Sequence, residues 1–97
     1  MKAYEHLIKF ALSCDYTVSV WDGEEWQVTK SDDYAEIVDA VESVEEAVLK
    51  IRREGGDSIA SATVSAYGLE DDETVVDYGI CSFMDDWEES YNLTQGA

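Results

Sequence analysis

Apolar residues recur every three or four positions near both ends of the chain. Over residues 3–14 this period is typical of an amphipathic helix with one buried stripe. That stripe comprises Tyr4, Leu7, Ile8, Ala11 and Leu12. A second stripe comprises Val76, Ile80, Phe83, Trp87 and Tyr91. Gly79 favours a break in this second stripe, so we predict a short turn followed by a main helix over 82–91.

Alternation replaces the helical period after the first helix. Residues 16–21 alternate and are rich in β-branched and aromatic types, and a second short run covers 26–29. Asp22 and Gly23 between the two runs form a turn signal. The pattern therefore predicts a β-hairpin.

The length of the turn decides which side chains of the hairpin share a face. A three-residue loop pairs Val20 with Trp26 and Val18 with Val28, which gives the hairpin one apolar face. A two-residue loop would place polar residues opposite the valines, so we favour the longer loop. In this register Trp21 falls on the opposite, polar face, where it is available to a partner.

A helix start follows the hairpin. The Ser-Asp-Asp sequence at 31–33 is typical of a helix N-terminus, because short polar side chains cap free N–H groups and carboxylates favour the positive end of the helix dipole. The apolar stripe of this helix includes Ile37 and Val41. We predict a helix over 32–43.

The segment after this helix fits two structures. A capping pattern at 43–46 would allow a new helical turn that continues through Ile51. The alternative is a strand, because apolar and polar residues alternate over 47–53. A turn signal at 54–57 leads into a clear strand pattern over 58–67, and we therefore favour a second hairpin.

These elements predict an α+β fold with the order α-β-β-α-β-β-α, in which a four-stranded antiparallel sheet is packed with helices. The chain has 97 residues, no proline and no linker-like tract. Domains of about 100 residues are common, so we expect residues 1–97 to form one compact domain. Apolar residues make up 45% of the chain and aromatic residues 11%, which excludes a disordered acidic tail.

Charge narrows the possible partners. Twenty-three Asp and Glu residues against six Lys and Arg give a net charge of −17. Such a surface repels nucleic acids and anionic lipids, so we expect no direct nucleic-acid or membrane binding. All six basic residues lie at or before Arg53, and residues 54–97 carry eleven carboxylates. No apolar run approaches the roughly 20 residues of a membrane span, and we expect a cytoplasmic protein.

The sequence contains no motif that indicates catalysis. His6 is the single histidine, and Cys14 and Cys81 lack the spacing of a zinc or redox site. Carboxylates are so dense that a pair of them says little about acid-base chemistry. The stretch 71–79 does not fit a calcium loop. We therefore expect no catalytic residue, no metal site and no cofactor.

Clusters of carboxylates are the most prominent feature of the sequence. One reading is a solvated surface that keeps the protein soluble, but solubility requires a net charge of only about 2 to 8. The excess favours a functional negative field that meets a basic protein surface. The candidate residues for partner binding are Asp32, Asp33, Glu36, Asp39, Glu70, Asp71, Asp72, Glu73, Asp85, Asp86, Glu88 and Glu89.

Several segments carry a resemblance. The sequences YTVSVWDGEEW, SDDYAEIVDAVESVEEA, DDETVVDYG and FMDDW resemble small acidic proteins encoded by tailed bacteriophages. In size and charge the chain is also similar to phage inhibitors that mimic DNA, including anti-restriction and anti-CRISPR proteins. The resemblance implies a non-enzymatic decoy in the cytoplasm of a bacterial host, which binds the basic groove of a nucleic-acid-binding protein.

Two further hypotheses concern the sheet. The chain is alternatively an adaptor or regulatory module that binds a protein through Trp21 on the exposed sheet face, with acidity serving solubility. A homodimer is a separate expectation if an edge strand or the strand near 59–67 is exposed, provided that the acidic regions of the two copies stay apart.

Overall fold

The computed structural model describes residues 2–53, 58–67, 70, 73–79 and 81–96, with side chains described as far as Leu93. Its helices are α1 (Ala3–Ser13), α2 (Tyr34–Glu42) and α3 (Ser82–Gly96). Its strands are β1 (Thr17–Trp21), β2 (Trp26–Ser31), β3 (Ala47–Arg52), β4 (Ser58–Val64) and β5 (Val75–Tyr78). The strands form one sheet of order β2-β1-β3-β4-β5 with every neighbouring pair antiparallel.

The α+β class, the three helices and the antiparallel sheet are confirmed, but the sheet has five strands and not four. The additional strand is β5, where the sequence pattern placed Val76 on a helical stripe. Val75 pairs with Val64, and Val76 is 50% exposed. The spacing from Val76 to Phe83 matches a helix by coincidence, because the segment around Val76 is a strand in which Val75 and Asp77 pair with β4. Ile80 of the predicted stripe lies outside the described residues.

The ambiguous segment after α2 is a strand. In β3 the residues alternate between buried and half-buried, with Ala47, Leu49 and Ile51 facing the core. This alternation confirms the second hairpin, although β4 ends at Val64 and not at residue 67. The predicted turn at 54–57 lies outside the described residues.

The predicted register of the first hairpin is wrong. Trp21 pairs with Trp26, Val20 pairs with Val28, and Val18 pairs with Ser31 across two irregularities. The turn holds four residues because the Asp22 carboxylate accepts hydrogen bonds from the backbone N–H groups of Glu24 and Glu25, at 2.8 and 2.7 Å. A side chain that caps a turn in this way is invisible to an argument from alternation alone.

All three helices pack on one face of the sheet, and the core lies between the two layers. The buried apolar residues of the helices include Tyr4, Leu7, Ile8, Ala11, Ile37, Val41, Phe83, Met84, Trp87 and Tyr91. Those of the sheet include Val18, Val20, Leu49, Ile51, Ala60, Ala62 and Val64. Within the described part of the chain, no helix is long and apolar enough to cross a membrane.

The order of the helices over the sheet follows from their contacts. Helix α2 packs on β1 and β2, α1 packs on β1, and α3 packs on β4. Helix α1 also contacts both of the other helices and therefore lies between them. Its N-terminus is fixed to a distant part of the chain, because the backbone N–H of Tyr4 donates to the buried Thr74 hydroxyl at 3.1 Å.

Candidate interaction surfaces

The sheet separates two surfaces of different chemistry. The helix layer is the solvent-facing side of α1, α2 and α3. The outer sheet face is formed by the strand residues that point away from the helices. The acidic candidates at the start of α2, in α2 and in α3 lie on the first surface, and Trp21 lies on the second.

The acidic strip of α2 comprises Asp32, Asp33, Glu36 and Asp39, all of them exposed. Helix α2 begins at Tyr34, so Asp32 precedes the helix, and the predicted helix start at residue 32 is wrong. Asp33 is the N-cap and accepts from the backbone N–H groups of Ala35 and Glu36, at 3.1 and 3.4 Å. Its carboxylate therefore has a structural role that the other members of the strip do not share.

An open groove runs between this strip and the hairpin. It has a volume of about 560 Å³ and is lined by residues of β2, of α2 and of the turn after it. Glu36 and Asp39 supply carboxylates to the groove, while Gln27, Thr29 and Ser43 supply neutral polar groups. A cationic side chain would find both charge neutralisation and hydrogen-bond acceptors there.

The acidic strip of α3 comprises Asp85, Asp86, Glu88 and Glu89, again all exposed. The opposite side of the helix is buried and includes Phe83, Trp87 and Tyr91, which confirms the predicted apolar stripe over this helix. The Tyr78 hydroxyl of β5 donates to the Glu88 carboxylate at 2.8 Å. This hydrogen bond, with some burial, raises the pKa of Tyr78 above its ordinary value.

The loop before β5 contains the remaining acidic candidates. Glu70 and Glu73 are exposed, and the Glu73 N–H donates to the Glu70 carbonyl at 2.9 Å. Asp71 and Asp72 lie outside the described residues. Of the four acidic candidates in this loop, Glu70 and Glu73 are therefore the two that the structure describes, and both are exposed.

The fold brings the strips of α2 and α3 to the same side of the sheet but does not merge them. Helix α1 lies between the two and presents Lys9, whose ammonium lies 4.9 Å from the centre of the Tyr34 ring. The acidic surface is therefore two strips with a helix between them. A division of the chain into a basic N-terminal half and an acidic C-terminal half does not describe this surface, because α2 belongs to the first half.

A group of exposed carboxylates that sequence reasoning did not single out lies at the end of the sheet near the hairpin turn. They are Glu24, Glu25, Glu42, Glu45 and Glu46. Asp22 organises this turn, and the hydrogen bonds from the N–H groups of Glu25 and Glu24 lower its pKa. For Glu42 the sequence offered one signal, because residues three apart on a helix are neighbours and Glu42 therefore lies beside Asp39.

The outer sheet face carries Trp21, as the alternation predicts. The Trp21 and Trp26 rings meet edge to face with their centres 5.1 Å apart. Together with Val48 and Lys50 they line an open, largely apolar concavity of about 280 Å³. Trp26 was predicted to face the core opposite Val20, but its pairing with Trp21 places it on this face and leaves it 39% exposed.

Groups that could support chemistry are dispersed over the described residues. No three His, Cys, Asp or Glu side chains among them are placed to hold a metal ion. His6 lies against the Tyr91 ring, with the ring centres 5.4 Å apart, and burial lowers its pKa. Cys14 is exposed, and Cys81 is half-buried.

Comparison of the chain with protein-family models, with curated proteins and with solved structures found no match.

Proposed function

We propose that this protein is a non-enzymatic inhibitor that presents carboxylates of its helix layer to the basic groove of a nucleic-acid-binding protein of a bacterial host. The observation that carries the proposal is the placement of two exposed acidic strips on one side of the sheet, on α2 and α3. A basic groove built for phosphates attracts such a surface through the same charges that hold nucleic acid.

The spacing of the carboxylates is comparable with that of a nucleic-acid strand. Glu36, Asp39 and Glu42 follow one another at three-residue steps on α2, which corresponds to about 4.5 Å of helix rise per charge. A strand of duplex DNA carries one charge per roughly 3.4 Å of axis. This row of three carboxylates on α2 therefore reaches about three quarters of the charge density of one phosphate strand.

The separation of the two strips supports the same idea. Packed helices lie about 8–10 Å apart, so α2 and α3 on either side of α1 are separated by roughly 16–20 Å between their axes. A duplex also presents two charged strands to a protein, on the two sides of a groove about 12 Å wide in the major groove. Two separate rows of carboxylates resemble this arrangement more closely than one cluster would.

The carboxylates of the two strips are not equivalent in this proposal. Asp33 caps α2 and Glu88 accepts from Tyr78, so each is held by a contact within the protein. Glu36 and Asp39 instead line the open groove beside β2, where an arginine side chain of the target would form charge-assisted hydrogen bonds. We expect these two carboxylates to contribute more to binding than Asp33 does.

The test is affinity capture from bacterial lysate at low and high salt, followed by identification of the retained proteins and competition with duplex DNA. We expect a nucleic-acid-handling protein that is released by salt and displaced by DNA. The paired change Glu36→Gln with Asp39→Asn should weaken capture about tenfold, which corresponds to about 1.4 kcal/mol. Glu24→Gln with Glu25→Gln removes the same charge from the hairpin turn and is the control.

Binding that is insensitive to both salt and DNA would eliminate the proposal. Equal losses for the α2 pair and the hairpin pair would show that only net charge matters, and the groove beside α2 would have no specific role.

A second candidate function is an adaptor that binds another protein through the outer sheet face. The open apolar concavity beside the half-buried Trp21 and the exposed Trp26 favours it, because tryptophans on a surface commonly anchor interfaces. This function predicts that Trp21→Ala abolishes capture while amide substitutions of the α3 strip do not. The inhibitor predicts the reverse order of effects.

A further inference from the structure

The position of Trp26 depends on an irregularity in β2. Because Val20 pairs with Val28, a regular antiparallel ladder would turn Trp26 toward the core, on the same side as Val28. Gln27 is instead an extra residue in the ladder, and it brings Trp26 opposite Trp21 on the outer sheet face. Trp26 is 39% exposed there. Such β-bulges are common beside functional sites, where they re-aim a side chain, so the exposed tryptophan pair is a candidate binding site.

The two tryptophans line the open concavity of about 280 Å³ together with Val48 and Lys50. Their rings meet at 65°, with the ring centres 5.1 Å apart. A flat ring placed in this corner would contact the face of one indole and the edge of the other, and both contacts are favourable between aromatic groups. The apolar part of the concavity therefore fits a planar aromatic group.

Lys50 places an ammonium group at the side of the concavity, among neighbours that carry no negative charge. Across the sheet these neighbours are Ser19 on β1 and Ser61 on β4. Along the same face of β3 they are Val48 and Arg52, and Arg52 already has an interaction within the chain. None of these four described positions holds a carboxylate, although the chain has twenty-three. The Lys50 ammonium is therefore available to the carboxylate of a ligand.

Exposed carboxylates surround this site at a distance. Residues 45–46 precede Ala47, which is three residues and therefore about 10 Å along β3 from Lys50. Asp77 lies on β5, two strands or about 10 Å from β3. The carboxylates of the hairpin turn lie beyond the pair of tryptophans. The Debye length at physiological ionic strength is about 8 Å, so these charges are largely screened from an anion bound at Lys50.

The apolar surface around the tryptophans ends at the concavity. Beyond Val48 the next residues across the sheet are Thr63 and Asp77, and beyond Lys50 the next residue is polar as well. A specific protein interface needs about 800 Å² on each partner, with an apolar centre. The volume of about 280 Å³ instead lies near the lower limit of small-molecule pockets, about 300 Å³. The size of the site therefore favours a small ligand with one or two rings.

We propose that this concavity binds a small planar aromatic carboxylate. The ring of the ligand packs in the corner between Trp21 and Trp26, and its carboxylate accepts a charge-assisted hydrogen bond from the Lys50 ammonium. The site lies on the side of the sheet opposite the acidic strips, so it does not depend on the proposed inhibitor function.

An NMR titration of the isotope-labelled full chain with naphthoate tests the proposal. The chain has three tryptophans, so the indole N–H signals of Trp21 and Trp26 can be compared with that of the buried Trp87. We expect the first two signals to shift and to saturate at about 1 mM naphthoate, while the Trp87 signal stays unchanged. Naphthamide, the neutral amide with the same ring, should bind about tenfold more weakly because it cannot form the charged contact.

Variants of Lys50 assign the charged contact to one residue. Lys50→Gln should weaken naphthoate binding about tenfold and leave the affinity for naphthamide unchanged, because only the acid pairs with the ammonium. Lys50→Arg keeps the positive charge and should retain binding of the acid. Lys9→Gln makes the same change of net charge on the helix layer and should leave both affinities unchanged.

Indole signals of Trp21 and Trp26 that stay unchanged up to roughly 10 mM naphthoate overturn the proposal. Equal affinities for the acid and the amide also overturn it, since the concavity would then be only an apolar surface. Equal losses for Lys9→Gln and Lys50→Gln overturn it as well, since they would reflect net charge alone. If naphthoate does not bind and Trp21→Ala abolishes capture of another protein, the concavity belongs to an adaptor function. Salt-sensitive capture through the helix layer is measured separately, so each outcome is independent of the inhibitor proposal.

Discussion

The helix layer and the outer sheet face are built from the same chain but have opposite character. Every sequence-predicted acidic candidate that the structure describes is exposed, and those in or at the start of α2 and α3 lie on the helix layer. The described outward positions of β1, β3 and β4 carry none, and Asp77 of β5, which pairs with Thr63, is an exposed carboxylate on the outer sheet face. The difference shows that a net charge of −17 is a property of the chain and not of each surface.

Amphipathic periodicity explains how this separation arises. In α2 and α3 the acidic residues occupy the positions between buried ones, so the helical period turns them toward solvent. In β3 the alternation turns Leu49 toward the core and Lys50 away from it. The same chain can therefore present an acidic surface on one side and an aromatic and basic surface on the other.

The largest predicted effect contrasts the two sides of β3. Leu49 is fully buried, and Leu49→Ala should lower the free energy of unfolding by about 2–5 kcal/mol, because it removes apolar contacts and leaves a cavity. Lys50→Ala on the outward side should change it by about 0.5 kcal/mol or less. Urea denaturation of the two variants measures the contrast, and similar losses would show that the outer face is structurally buried.

The next effect separates a structural carboxylate from its neighbour. Asp33→Ala removes the N-cap of α2 and should lower the free energy of unfolding by about 1 kcal/mol. Asp32→Ala, one residue earlier and outside the helix, should have little effect on stability. Thermal denaturation measures the stability of the two variants. In target capture, Asp33→Ala should lose no more binding than Asp32→Ala does.

A smaller effect tests whether the acidic strip of α3 lowers the stability of the protein while it contributes to target binding. Glu89 has Asp85 and Asp86 as neighbours on the helix, and each like-charge pair costs about 0.2–0.5 kcal/mol. Glu89 lies beyond the first turn of α3, so Glu89→Gln should stabilise the protein slightly while weakening target binding. Denaturation and capture of the same variant give both values, and a destabilised variant would contradict the reading of this strip as a binding surface.

The smallest effect concerns Tyr78 and Glu88. Their hydrogen bond raises the folded-state pKa of Tyr78, so its contribution to stability is complete below the ordinary tyrosine pKa and is lost as pH rises through the higher folded value. Glu88→Gln should bring this pKa closer to its ordinary value. An NMR titration of labelled tyrosine measures it, with Glu89→Gln as the control that should leave it unchanged.

Long periodic segments were predictable from the sequence, and short or side-chain-directed features were not. The stripes of α1 and α3 cover several turns, so the helical period is unambiguous there. Strand β5 has only four residues, and Val76 happens to continue the period of α3. The register of the first hairpin depends on the Asp22 carboxylate, which caps a four-residue turn that alternation cannot reveal.

The candidate site was predictable residue by residue but not as a surface. Exposure of the acidic residues on α2 and α3 followed from the apolar stripes opposite them. That these helices flank α1 on one side of the sheet depends on strand order, which local sequence does not specify. The meeting of Trp21 and Trp26 on the outer face depends on the same hairpin register that alternation predicted wrongly.

The most direct test of target binding through the helix layer is the affinity of the captured target for two variants across a range of salt. In one, Glu36 and Asp39 are changed to their amides, and in the other Lys50 is changed to Glu. We predict that the first loses about tenfold in affinity and shows a shallower salt dependence, while the second binds as the unmodified protein does. Loss of binding in the second variant with full binding in the first would contradict the account.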